Sequence, residues 1–168
     1  AIGGNNDDYL RAVTITKDGG ILVGGYFSSD TVELEKGIVL KNSWNINPDD
    51  MVIKYTIDGE IEWAERMGGG SDDRIFSIAE TTDGGFITGG NFYSHSKFGD
   101  ISVSAPTTGG IPGVVVKCNS NRQVEWAEVI DGAVNSVIET TDGGYVIGCT
   151  YGIIVKYNAD GEVQWRKD

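Results

Sequence analysis

Hydrophobic residues along this chain fall into short runs separated by glycine-rich turns, and no window keeps a 3.6-residue period. Helices are therefore expected to be nearly absent. One motif returns three times: "TKDGGILVGG" at 16–25, "TTDGGFITGG" at 81–90 and "TTDGGYVIGC" at 140–149. Around each copy the pattern predicts four strands. The first is mixed apolar and polar, as from Ile75 to Thr81, and ends at an Asp-Gly turn whose glycines supply positive φ. The second is apolar and closes on glycine, as from Phe86 to Gly90, which points to close approach of another backbone. The third is apolar without alternation (Met51-Val52-Ile53, Val114-Val115-Val116, Ile153-Ile154-Val155), so it is covered on both faces. The fourth alternates, which places Ile61 and Trp63 on one side and Glu62 and Ala64 on the other.

The repetition extends beyond the turn. "MVIKYTIDGEIEW" (51–63), "VVVKCNSNRQVEW" (114–126) and "IIVKYNADGEVQW" (153–165) each place a Lys nine positions before a Trp. "IGGNNDDYL" (2–10) matches "MGGGSDDRI" (67–75), and "IDGAVN" (130–135) is a shortened version. Internal repeats of this length dictate the architecture. Four-stranded antiparallel units with doubly covered middle strands stack face to face, which is the arrangement of β-propeller blades. The unequal repeat lengths argue against a trefoil, and a sandwich does not account for the repetition. The expected fold is thus all-β, with blades at about 1–66, 67–129 and 130–168 forming a half-propeller, or a six-bladed ring as a dimer. Trp63, Trp126 and Trp165 are expected to fill the space between neighbouring blades. The recurring Lys54, Lys117 and Lys156 read as salt-bridging or snorkelling side chains rather than nucleophiles.

The spaced elements "GGxxDD…SI.ETTDGGF…GG…VVVK…W" resemble the repeat of secreted bacterial β-propeller proteins, whose units of the type S-V-x-x-T-x-D-G-G-Y-x-x-x-G end in V-K-x-x-x-x-G-x-x-x-W. The likeness covers nearly the whole chain. Cys149 in place of the second Gly, "NSNRQ" in place of an Asp-Gly turn and the shortened third unit depart from it. The resemblance implies a secreted or cell-surface setting and a binding or structural role, and it carries over no catalytic residue.

Propellers carry four to eight blades. Three leave two apolar end faces, which are expected to be met either by the remaining blades of a longer chain or by a second copy closing head to tail. The absence of an initiator Met and a leader suggests a processed or excised piece.

Chemistry is expected on the loops joining second and third strands, 26–50 and 91–113, which are long where 150–152 is minimal. "TVELEKGIVL" in the first predicts an extra hairpin, and the second holds a shorter one around Phe98 to Val103. That side gathers Asp7, Asp8, Asp30, Asp49, Asp50, Asp72 and Asp73 with Tyr26, Phe27, Trp44, Phe92, Tyr93 and Tyr151. Aromatic platforms beside carboxylates suit ligand or partner contact, carbohydrate in particular. The pairs Asp7-Asp8 and Asp72-Asp73 serve either as turn caps or as calcium ligands.

Composition narrows the classes. A net charge of −12 argues against nucleic acid, whose phosphates demand a basic patch, and no apolar run approaches a membrane span. Catalysis and cofactors are not expected. His95 is the only histidine and reads as solvated, and "GGG" at 68–70 lacks the Lys-Ser/Thr of a phosphate loop. Cys118 and Cys149 read as two buried thiols, an oxidised pair being the alternative.

Overall fold

A computed structural model describes residues 2–43, 47–106 and 110–168 of the chain. It is all-β. The first sheet is built from β1 (Asp8–Ile15), β2 (Ile21–Phe27), β5 (Asp49–Tyr55) and β6 (Ile61–Met67). The second holds β7 (Asp73–Glu80), β8 (Phe86–Phe92), β11 (Pro112–Cys118) and β12 (Val124–Asp131), and the third β13 (Val134–Glu139), β14 (Tyr145–Cys149), β15 (Ile154–Tyr157) and β16 (Val163–Lys167). Each four-stranded sheet is antiparallel, its strands hydrogen-bonded in chain order. The expected extra hairpins are present as β3–β4 (Thr31–Glu33, Val39–Lys41) and β9–β10 (His95–Phe98, Ile101–Ser104). Among the described residues helix is confined to two three-residue 3-10 turns, Glu35–Gly37 and Thr150–Gly152. Among the described residues no helix is long and apolar enough to cross a membrane.

The motif that opens each unit is a three-part staple. In the first copy Asp18 accepts from the Thr16 hydroxyl at 2.5 Å and the Gly20 N–H at 2.9 Å, and the Lys54 ammonium, reaching over from β5, bonds it at 2.7 Å. Asp83 with Thr81 and Lys117, and Asp142 with Thr140 and Lys156, repeat the arrangement. The two glycines have separate duties. Gly19, Gly84 and Gly143 sit at φ near +80°, where a side chain is strained. The second glycine is needed for space, since a Cβ on Gly20 would lie 2.5 Å from the Tyr55 carbonyl oxygen. Thr-x-Asp-Gly-Gly and a distant Lys thus recur together because they are one hydrogen-bonded unit.

The sheets stack in chain order, each unclosed. Leu22, Val52 and Met67 of the first face Ile75, Ile78, Phe86 and Val114 of the second, and Ile87 and Val115 on its far side meet Val137, Ile147 and Val155 of the third. Middle strands of the first two sheets are therefore enclosed on both faces, as their unbroken apolar runs require; in the third sheet Ile154 faces outward and is 37% exposed, which corrects the expected double cover of Ile153-Ile154-Val155. The fourth strand departs from simple alternation. Lys54 pairs with Trp63 and Tyr55 with Ile61, so Glu62 is an unpaired bulge residue. The bulge turns Ile61 toward the β3–β4 hairpin and Trp63 toward the second sheet, correcting their expected common side.

Candidate functional site

The seam between adjacent sheets is the most specific structure the repeats build. β7 leads the second sheet into the first, and its Ile75 and Ile78 press onto Gly24, where a Cβ would lie 2.8 Å from Ile75 Cγ2. One repeat later Val134 and Val137 press onto Gly89, with 2.5 Å to Val134 Cγ1. Trp63 stacks on Phe86 at 6.0 Å between ring centres. Trp126 packs against Tyr145 and Tyr157 and donates its indole N–H to the Ala159 carbonyl. A carboxylate closes each seam at the turn end: Glu80 accepts the Lys17 N–H, and Glu139 accepts the Thr82 N–H and hydroxyl.

On the two outer sheets the positions equivalent to these seam residues are uncovered. Leu10 and Val13 hold the register of Ile75 and Ile78, and of Val134 and Val137, as their pairing with Gly25 and Val23 shows. Val13 is 70% exposed where Ile78 is 6% and Val137 3%. At the other end, Gly148 occupies the register of Gly24 and Gly89, yet a Cβ there would meet nothing within 4 Å. Trp165, the third of the repeated tryptophans, is exposed, as are Ile138 and Ile154. Differences exist too. The β3–β4 hairpin folds over the outer half of the first sheet and buries Met51 and Ile53. Ile15 stands where Glu80 and Glu139 make their clamps.

On the loop side the structure separates the expected aromatics. Phe27 and Phe92 are completely buried core residues, which removes them from any contact surface. Tyr26 is buried beneath Tyr9, with the Arg11 and Arg74 guanidiniums over its ring. Tyr93 and Tyr151 remain exposed, and Trp44 lies outside the described residues.

The acidic residues separate likewise. Asp8 accepts N–H bonds from Gly4, Ser28 and Ser29 and a hydroxyl bond from Ser29, and its repeat mate Asp73 accepts from the Gly69 N–H and the Ser96 hydroxyl. These are turn caps, their lone pairs already aimed at donors. Asp72 pairs with Arg74 at 2.8 Å, and Asp30 is bonded by the Asn5 amide at 3.1 Å. Asp7 is exposed. Among the described residues no three acidic, His or Cys side chains are grouped so as to hold a metal. His95 is exposed on its hairpin, 3.1 Å from Ser104 Oγ.

Asp49 and Asp50 were not separable from the other acids by sequence, and they differ most. Asp49 is buried under the Ser43 N–H and hydroxyl and the Arg66 guanidinium. Asp50 is buried in the first seam, with Oδ1 unpartnered. Burial first, and then the nearby Asp73 charge, push its carboxyl well up against the single Ile75 N–H bond that opposes them. Burial likewise carries Asp73 to about 7 despite its two donors. The signal available beforehand was position: both acids directly precede the apolar run of β5, whose enclosure continues through them.

Cys118 and Cys149 are free, buried thiols, pushed by burial up to about 12 and about 11. Ellman-type titration at pH 8 is expected to modify neither until denaturant is added, and then both. Rapid modification of the native chain would show that these strands open locally.

No protein-family model matches the chain, and no curated protein does. The fold is similar to that of a solved structure, a protein of unknown function from Bacteroides caccae, at 12% identity with a TM-score of 0.59. The match covers 98% of this chain and 48% of that one, so this chain spans about half its length.

Proposed function

We propose that the chain is a non-catalytic assembly and binding module: an arc of three β-propeller blades, of the secreted type its repeat resembles, that joins a second copy head to tail in a six-bladed ring. One observation carries the reading. The first sheet presents Leu10 and Val13 as unused knobs, and the third presents Gly148 as an unused socket, in the register of the two internal seams. In this joint Trp165 meets Ile21 and Tyr55 of the partner copy, the counterparts of Tyr145 and Tyr157. The contact is heterologous, and two such contacts about a twofold axis close without leaving an open end. Ile15 offers no carboxylate to the Thr141 N–H, so the joint lacks a charge-assisted hydrogen bond, worth about 1.5–3 kcal/mol, that both internal seams have. The joint is accordingly weaker than they are. Two chains of net charge −12 also repel, so added salt strengthens it.

Light scattering on a sizing column tests the reading. The expected result is a species of about twice the 18.0 kDa chain mass at high concentration, shifting to single chains on dilution. Val13→Asp, at an exposed position, is expected to hold the chain monomeric with its fold intact. A monomer at every concentration, or a dimer indifferent to Val13→Asp, would refute it. A second reading draws on the length of the neighbouring structure's chain: the same two faces would be filled by further blades of a longer chain. Open-ended, polydisperse assembly of the isolated chain would favour that reading. Ring closure leaves the loop side, with Tyr93 and Tyr151, as the binding surface.

A further inference from the structure

A cavity of about 920 Å³ opens between β6 of the first sheet and the β9–β10 hairpin of the second. Its charge runs against that of the chain. Acids outnumber Lys and Arg by 25 to 13, yet Arg66, Lys97, Arg122 and the lone His95 line this cavity, facing only Glu65 and Asp100. The cations also keep spare donors. Arg66 bonds Asp49 and the Gly68 carbonyl through Nη1, and Arg122 bonds Glu65 through Nε while lying over the Trp63 ring. A guanidinium carries five N–H donors, so among the described residues Arg66 Nη2 and both Nη groups of Arg122 are uncommitted. Among the described residues the Lys97 ammonium has only the fully exposed Asp100, at 3.9 Å.

The floor is bare backbone. Gly68, Gly69 and Gly70 have φ of 71°, 133° and 104°, and a Cβ at Gly69 would lie 2.6 Å from Arg66 Nη1. Ser43, Asn119 and Gln123 add polar groups, while Met67 and Val124 are the hydrophobic side chains in the lining. A ligand for this cleft is anionic and rich in hydroxyls. A peptide would require apolar pockets for its other side chains, and Met67 and Val124 are the only hydrophobic side chains among the described residues of the lining to form them.

We propose that this cleft binds an acidic oligosaccharide, its carboxylates held by Arg66, Arg122 and Lys97. Guanidinium groups suit carboxylates because their paired N–H donors match the two oxygens. The inference does not rest on ring closure, because the cleft lies within one chain. The test is calorimetric titration of the whole chain at low salt with trigalacturonate, maltotriose and hexaglutamate. Trigalacturonate is expected to bind and maltotriose not to. Lys97→Gln and Arg122→Gln are each expected to weaken binding about tenfold, the value of one charge-assisted contact near a protein surface. Lys97 is exposed, so its substitution tests the site without threatening the fold. Val13→Asp is expected to leave binding unchanged. The proposal is overturned if no probe binds, if maltotriose binds equally, if hexaglutamate binds more tightly, or if both Gln variants bind like the parent.

Discussion

Gly89→Val is expected to destabilise the chain by about 2–3 kcal/mol or more, whereas Gly148→Val changes its stability by about 0.5 kcal/mol or less. The two glycines are repeat mates on second strands and pair equivalently within their sheets, Gly89 opposite Ser77 and Gly148 opposite Ser136. They differ in what lies across the seam. A Cβ at Gly89 would sit 2.5 Å from Val134 Cγ1, and backbone-anchored β13 cannot retreat without opening the core of Ile87, Val137 and Tyr145. At Gly148 the space is open, and valine suits a strand. Denaturant midpoints of the three proteins, taken at dilutions where the chain is single, measure the contrast. Equal losses at both sites would mean that seam packing is not what these glycines serve. Gly148→Val has a further expected effect: it fills the proposed socket and abolishes the dimer. A chain that stays fully stable yet loses self-association separates assembly from folding.

The dependence of stability on pH is expected to peak near pH 4–5, lower than most proteins. Two groups of aspartates act in opposite directions. Asp18 and Asp142 are held well down, first by the Lys54 and Lys156 ammonium groups. Asp83, which partial burial pushes up, is brought to about 2 by Lys117, Thr81 and the Gly85 N–H. A carboxyl lowered on folding stabilises above its unfolded value of 3.8, and that contribution is lost as pH falls toward 2. Asp73 and Asp50 are raised on folding, so the folded chain binds their protons more tightly than the unfolded one. Their contribution is full below pH 3.8 and is lost as pH rises, through about 7 for Asp73. At about 1.4 kcal/mol per unit, Asp73 alone accounts for a loss on the order of 4 kcal/mol between pH 4 and pH 7.

Urea midpoints from pH 3 to pH 9 test this. Net negative charge also weakens the chain at high pH, so the specific claim needs a paired control. Asp50→Asn keeps an oxygen for the Ile75 N–H and replaces a buried charge, and it is expected to make the alkaline limb shallower while leaving the share due to Asp73. Asp58→Asn, on an exposed turn, removes the same charge and is expected to do little. A midpoint that climbs steadily from pH 4 to pH 8 would show that the seam carboxylates are not destabilising.

By itself the sequence determined the strands, their order and the extra hairpins. Each rests on a local cause: enclosed apolar runs, glycines with positive φ, and a Thr-Asp-Lys staple that must be written out whenever it is used. The role of the recurring lysines was legible for the same reason. Side-chain direction past the fourth-strand bulge was not. One unpaired residue reverses every later position, and the alternation of Ile61 and Trp63 gives no sign of it. The fates of Phe27 against Tyr93, or of Asp50 against Asp30, were equally hidden. Burial there is decided by what another segment lays on top, and residue type does not encode that. The same holds at the two outer sheets. Gly24, Gly89 and Gly148 look alike in the repeat, and only the tertiary structure shows two sockets filled and one empty. The physical reason is that a seam belongs to two sheets at once, while a sequence repeat describes each sheet alone.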